Sequence, residues 1–225
     1  MPTNDAWLRS GWEFIRAALP GPPASVIEVG CGTAGGFVPS LLHEGYTALG
    51  IDPDAPAGPA YRQAEFESQH PPRPVDAIVA CTSLHHVADL ALATDRLAAA
   101  LRPGGTLVVI EWASERFDEA TARWCFARLA AAAPGAEPGW LARGRAEWLK
   151  SGLPWAQFHA AWRTAAGLHD GAAVLRALGT RFRRLSCACG PYFFADLEVD
   201  EAAEQAAIDA GRIRATGIRY TGALA

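Results

Sequence analysis

The stretch Glu28-Val-Gly30-Cys-Gly32-Thr-Ala-Gly35-Gly36 decides the fold. It follows a short apolar run, residues 25–29 (Ser-Val-Ile-Glu-Val), that suits a buried strand and is too short for a helix. Gly30, Gly32 and Gly35 keep the Gly-x-Gly-x-x-Gly spacing, and Asp52 stands about twenty residues on, at the end of the next apolar run. Glycines in such a turn let a ligand approach the backbone closely. A carboxylate at the end of the second strand can hold ribose hydroxyls through charge-assisted hydrogen bonds. Read alone, the turn suits a dinucleotide as well as any other adenosine-containing cofactor.

Outward from the turn, strands and helices alternate. A helix is expected over residues 36–44, a second strand over 46–51, and a weak short strand near 61–64. A third clear strand covers 75–81, a helix 90–101, and a further strand 106–112 after the turn Arg102-Pro-Gly-Gly105. Short apolar strands alternating with helices predict an α/β fold, a doubly wound parallel sheet with helices on both faces. Residues 5–19 read as an amphipathic helix with Trp7, Leu8, Trp12, Ile15 and Leu19 on one face. Beyond residue 115 the pattern turns helical, over 115–133 and 139–179 with breaks at Gly152-Leu-Pro154 and at residues 167–171. Strand character returns at 182–190 and 213–223, around a helix at 200–210, so the tail can close the sheet with one antiparallel strand. The expected organisation is a single domain over 1–225: a Rossmann-like core at 20–115 and 180–225, an N-terminal lid helix at 1–19, and a helical cap inserted at 116–179.

Three features narrow the choice of cofactor. Glu28 sits two residues before the first glycine, where a carboxylate repels a pyrophosphate and attracts an ammonium or a sulfonium. Asp76, the segment Leu84-His85-His86-Val87 and the Arg102-Pro-Gly-Gly105 turn follow in order. The last stretch is then expected to form a strand–helix–strand unit and not a separate substrate domain. This ensemble resembles the class I S-adenosylmethionine-dependent methyltransferases, from about Ser25 to Trp112 and more weakly over 182–225. The resemblance implies a seven-stranded, mostly parallel sheet with one antiparallel strand, and S-adenosyl-L-methionine as cofactor. By it, Gly30, Cys31 and Gly32 pass under the methionine part, Gly35 completes the turn, and Glu28 lies near the amino group. Asp52 holds the ribose, Glu65 and Phe66 meet the adenine, and Cys81 to Leu84 line the other wall. The family often has glycine where Ala34 stands. Alanine is small and Gly35 follows, so the turn is expected to survive.

Methyl transfer is chiefly a matter of positioning, and a hydroxyl acceptor gains from a base that takes its proton. His85 and His86 follow the 75–81 strand and Glu111 ends the 106–112 strand, so a His–Glu pair across the cleft is expected, with His86 slightly preferred as base. His169 is a second candidate; His43 and His70 are expected in solvent, and His159 on a cap face. No cluster has metal-ligand spacing. Trp7, Trp12, Trp112, Trp155 and Trp162 are expected around the acceptor, with Arg143, Arg145 and Arg163 able to bind an anionic group on it. The expected activity is methylation of a small-molecule acceptor, with oxygen preferred over nitrogen or carbon. The alternatives are a nicotinamide-dependent oxidoreductase and a non-catalytic cofactor-binding relative.

Composition bounds the partners. The 225 residues carry a net charge of −4, which argues against a backbone-reading nucleic-acid binder. No apolar run is long enough to span a membrane and no signal peptide is visible, so a soluble cytoplasmic protein is expected. Cys31, Cys81, Cys125, Cys187 and Cys189 are scattered and odd in number, a poor disulfide framework that fits a reducing compartment. Nothing in the sequence sets the oligomeric state. Nineteen arginines against the lone Lys150 reflect genomic bias, while eight tryptophans are more than a chain of this size ordinarily carries.

Overall fold

A computed structural model describes residues 5–69, 73–129 and 137–224. His70 and the stretch 130–133 of the first expected cap helix lie outside the described residues, as do residues 1–4 of the N-terminal segment. The strands are β1 (Ser25–Val29), β2 (Thr47–Asp52), β3 (Tyr61–Gln63), β4 (Val75–Cys81), β5 (Leu101–Trp112), β6 (Phe182–Gly190) and β7 (Gly217–Leu224). The helices are α1 (Asp5–Ala18), α2 (Val38–His43), α3 (Leu90–Ala100), α4 (Glu119–Phe126), α5 (Trp140–Ser151), α6 (Trp155–Ala165), α7 (Gly171–Leu178) and α8 (Glu201–Asp209).

All seven strands form one sheet in the order β3-β2-β1-β4-β5-β7-β6. The pairs from β3 to β5 are parallel, and β7 runs antiparallel to both β5 and β6. The chain moves outward from β1 in one direction and then crosses back to β4, so the order reverses between β1 and β4. A crevice opens at the carboxyl ends of the strands at such a switch point.

Strand alternation sends side chains to two cores. Ile27, Val29, Ile78, Leu107 and Val109 face α3 and α7, where they meet Leu97, Val174 and Leu178. Val26, Val79, Val108 and Ile110 face α1 and α2, where they meet Ile15, Phe37, Val38 and Leu41. A third core, built from Trp112, Phe117, Phe126, Trp148 and Trp155, holds α4 to α6 together. Aspartate side chains cap the first turns of α3 (Asp89), α4 (Asp118), α7 (Asp170) and α8 (Asp200), each worth about 1 kcal/mol.

Three expectations are corrected by this packing. First, α1 is not a lid. It lies along the sheet face so closely that a Cβ on Gly11 would stand 2.7 Å from the Phe37 ring and 3.3 Å from Ile110. Second, α7 is not part of a cap, because Val174 and Leu178 are buried in the main core; the cap over the crevice is α4 to α6. Third, β5 begins at Leu101, which pairs with Val75 before the ladder resumes at Ala77 and Thr106. The expected turn at residues 102–105 is therefore a bulge inside a strand, and it places Arg102 in an ion pair with Asp76.

Candidate active site

The turn after β1 lies under this crevice. Gly30 (φ +80°) has left-handed backbone, and a Cβ there would collide with Ser83 beyond β4. Gly36 (φ +55°) is equally constrained, because its Cβ would collide with the Glu28 carboxylate. Ala34 is exposed and has no positive φ, so alanine there costs the turn nothing; Gly35 and Gly36 take the left-handed positions instead.

Glu28 shares the parity of Val26 on β1, so its side chain enters the α2 side of the sheet and turns under the loop. It is 1% exposed. Its Oε2 accepts from the Phe37 N–H at 2.8 Å, while Oε1 has no partner. Burial, opposed by the Phe37 and Val38 amides, pushes the carboxyl up to about 8. Glu28, Cys31 and Cys81 surround a small void of about 30 Å³ behind the turn. Asp52 faces the other way: its Oδ2 accepts from Gly32 N–H at 2.9 Å and its Oδ1 from Asp54 N–H at 2.8 Å.

The crevice itself is a cleft of about 610 Å³. Gly30, Gly32, Asp52, Glu65 and Phe66 line one end of it, and Trp112, Trp140, Trp162, Tyr192 and Leu168 wall the other, with His85 and His86 between. Of the residues expected at the cofactor, Glu28, Cys31, Gly35, Cys81 and Leu84 do not line this cleft. Glu28, Cys31 and Cys81 lie behind the turn, Gly35 packs against Tyr61, and Leu84 is buried in the α3–α7 core.

Between the two ends stands a buried dyad. Thr82, with φ +48°, turns the chain sharply after β4, and its N–H donates to Ile110 O at 2.7 Å. The next amides converge on Glu111: Ser83 N–H and Leu84 N–H donate to Oε1 at 2.9 and 2.6 Å, and Trp112 N–H donates to Oε2 at 3.0 Å. His85 Nδ1 lies 2.5 Å from Glu111 Oε2. Burial alone would raise the Glu111 carboxyl, but the His85 imidazole and these amides more than offset it and hold it below the usual carboxylate range.

The expected His–Glu pair therefore exists, but its histidine is His85 and not the preferred His86. The short turn Leu84–His86 aims His85 inward and leaves His86 exposed at the rim, its ring 4.1 Å from that of His85. Desolvation, and the neighbouring His85, lower the proton affinity of His86. His169 is corrected as well: its backbone N–H donates to His85 O at 3.0 Å and its Nε2 is spent on Val87 O at 2.9 Å, so it ties the cap to the histidine turn. His159 lies on the cap face, buried in a stack between Trp155 and Trp162, and burial pushes it down to about 4.

Of the five tryptophans expected at the acceptor, Trp112 and Trp162 line the cleft. Trp7 packs on Phe37, Trp12 packs on the α1–α2 core, and Trp155 is locked into the cap by a 2.7 Å bond from Nε1 to Phe117 O. Trp140 and Tyr192 line the cleft without having been singled out. Trp140 is held by a 3.1 Å bond from Nε1 to Asp196, and Tyr192 by the buried Glu204, which accepts from the amides of Tyr192, Phe193 and Phe194. Residue type alone could have flagged Trp140; only the fold brings Tyr192 back to the cleft. Among the described residues no group of three or more His, Cys, Asp or Glu is placed to hold a metal ion, and no helix is long and apolar enough to cross a membrane.

The family described as "Methyltransferase domain" matches residues 8–147. No curated protein matches the chain. An S-adenosylmethionine-dependent methyltransferase from Mesorhizobium loti is 21% identical at a TM-score of 0.55, over 95% of this chain and 97% of that one. The N-methyltransferase NodS from Bradyrhizobium japonicum, solved with S-adenosyl-L-homocysteine, is 13% identical at 0.54, over 99% and 89%. Geranyl diphosphate C-methyltransferase from Streptomyces coelicolor A3(2) is 15% identical at 0.55, over 96% and 76%. At these identities the likeness is one of fold.

Proposed function

The chain belongs to the methyltransferase-domain family, and on that footing we propose that it moves a methyl group from S-adenosylmethionine to a hydroxyl of a small-molecule acceptor, with His85 as the base. The observation that carries this reading is the His85–Glu111 dyad, buried at the middle of the cleft between the glycine turn and the aromatic wall.

The residues at the cofactor end fit the methyl donor. A carboxylate accepts hydrogen bonds and donates none, as ribose hydroxyls require, and Asp52 is already fixed by two amides. Glu65 and Phe66 would flank the adenine, and the collision of any Cβ on Gly30 leaves that turn bare for close approach. Asp52, Asp54, Glu65 and Glu67 line the cleft, and among the described residues neither lysine nor arginine does. That balance favours a cationic cofactor over the pyrophosphate of a nicotinamide dinucleotide. When bound, S-adenosylmethionine supplies an electrophilic methyl group on a sulfonium.

The chain's own work is to place and deprotonate the acceptor. With Nδ1–H donated to Glu111, Nε2 of His85 is left as a lone-pair acceptor facing the cleft and can take the hydroxyl proton. Glu111 then stabilises the imidazolium that forms. The cap helices exclude water from the same space. The five cysteines are unpaired, which supports a cytoplasmic setting.

Calorimetry with S-adenosylhomocysteine should show binding that is lost on Asp52→Ala, and none with NAD. Methyl transfer from labelled S-adenosylmethionine to a panel of phenols and alcohols should fall about 10²-fold or more on His85→Ala, the usual size of a general-base effect, and change less than about threefold on His86→Ala. Cofactor binding without any product points to a non-catalytic relative, and an unchanged rate for His85→Ala removes the base.

A further inference from the structure

We infer that the acceptor is an uncharged, ring-bearing alcohol or phenol, and that the site rejects acceptors carrying a carboxylate or phosphate. This rests on reading the cleft as a methyl-transfer site. Beyond His85 the walls are aromatic: Trp112 stacks on Tyr192 with centroids 5.9 Å apart at 10°, and meets Trp140 and Trp162 edge-on at 5.4 and 6.2 Å. Such faces and edges favour a flat ring and offer it large apolar area.

Charge decides which rings. An anion entering this half of the cleft would lose its hydration, and among the described residues no lysine or arginine lines the cleft to replace it. Arg143 is bonded to Pro138 O, Arg163 reaches only the Ser114 hydroxyl at 3.4 Å, and neither these two nor Arg145 lines the cleft. The carboxylates at the cofactor end, Asp52, Asp54, Glu65 and Glu67, add to the repulsion. A cationic acceptor is disfavoured for a different reason. The hydroxyl proton ends on His85, and the resulting imidazolium would stand beside the acceptor's own positive charge. An uncharged acceptor meets neither cost.

Two probes sharing one ring, 2-naphthol and 2-naphthoate, test the anion by calorimetric titration of the full chain saturated with S-adenosylhomocysteine, and 6-(aminomethyl)-2-naphthol, offered as an acceptor with S-adenosylmethionine, tests the cation. 2-Naphthol should bind at least about tenfold more tightly than 2-naphthoate and be O-methylated at least about tenfold faster than the aminomethyl compound, and Trp162→Ala should weaken 2-naphthol binding at least about tenfold while leaving S-adenosylhomocysteine affinity unchanged. Leu168→Arg, which places a cation in the wall, should bring 2-naphthoate to the affinity of 2-naphthol or beyond. Equal or tighter binding of 2-naphthoate, or equally fast O-methylation of the aminomethyl compound, by the unmodified protein overturns the inference, as does the absence of 2-naphthol binding to a protein that binds S-adenosylhomocysteine. Failure of the methyl-transfer reading itself is distinguishable: a nicotinamide-dependent enzyme would not bind S-adenosylhomocysteine, and a non-catalytic relative would bind it yet yield no product from labelled S-adenosylmethionine.

Discussion

Replacing Glu28 by glutamine should make the ligand-free protein more stable as pH rises. The carboxyl is 1% exposed, one of its oxygens has no partner, and burial lifts it from 4.5 to about 8. Between those two values the folded chain keeps a proton that the unfolded chain has released. Stability from Glu28 is therefore fully present below about pH 4.5, declines as pH rises, and is lost above about pH 8. At 1.36 kcal/mol per pH unit, a window of about 3.5 units (8 − 4.5) corresponds to of order 5 kcal/mol. The neighbours do not blunt this: Asp52 adds to the rise, and the Cys31 thiol, itself pushed up to about 12, stays neutral throughout. Glutamine keeps a carbonyl for the Phe37 N–H and carries no titrating proton. Urea unfolding of both proteins at intervals from about pH 5 to about pH 8.5 measures the difference directly. The gap should widen in favour of Glu28→Gln by about 1 kcal/mol per unit. Parallel curves would refute the reasoning, because they would mean that Glu28 ionises as readily folded as unfolded.

Two further substitutions separate the cleft's support from its chemistry. Glu204→Gln removes a buried acceptor from the amides of residues 192–194, and should cost about 1–3 kcal/mol in urea unfolding and weaken 2-naphthol binding through Tyr192 while leaving S-adenosylhomocysteine affinity unchanged. Asp76→Asn acts at the opposite end of the sheet, where the Ser25 hydroxyl and amide hold the Asp76 carboxyl below its ordinary range. A lowered carboxyl stabilises above its unfolded value and loses that stabilisation as pH falls, so the deficit of the variant should be about 1–2 kcal/mol at neutral pH and shrink on acidification, with cofactor affinity unaffected.

The fold is legible in the sequence wherever local pattern and final environment coincide. β1 and β4 are apolar runs buried on both faces, and they fall where the runs predict, because nothing but a central parallel sheet hides such segments completely. The start of β5 is different. Proline and two glycines at residues 103–105 read as a turn, and only the pairing of Leu101 with Val75, far away in the chain, makes them a bulge. The same holds for α1 and α7. An amphipathic helix announces that one face is buried, never against what. Val174 and Leu178 would look alike in a cap and under a sheet.

The site divides along the same line. The glycine turn and Asp52 were readable because their geometry is set within one βαβ unit. That Glu28 shares the side of Val26 on β1 is visible in the sequence, but its consequence, a carboxylate behind the turn and away from the cleft where it was expected, was not readable. The choice between His85 and His86 was not either. They are adjacent in sequence, and a single left-handed residue, Thr82, together with the amides it turns toward Glu111, decides which ring is buried. The tryptophans show why composition alone misleads. Trp148 and Trp155 each donate Nε1–H to a backbone carbonyl inside the cap and serve as core. Trp140 instead donates to Asp196, on the segment that carries Tyr192, so that one hydrogen bond joins two walls of the cleft that lie far apart in sequence. Trp112 reaches the same place from the end of β5, next to the glutamate that holds the His85 ring. The aromatic wall and the His85 ring are thereby anchored to one strand end, and a change that shifts Glu111 must move both.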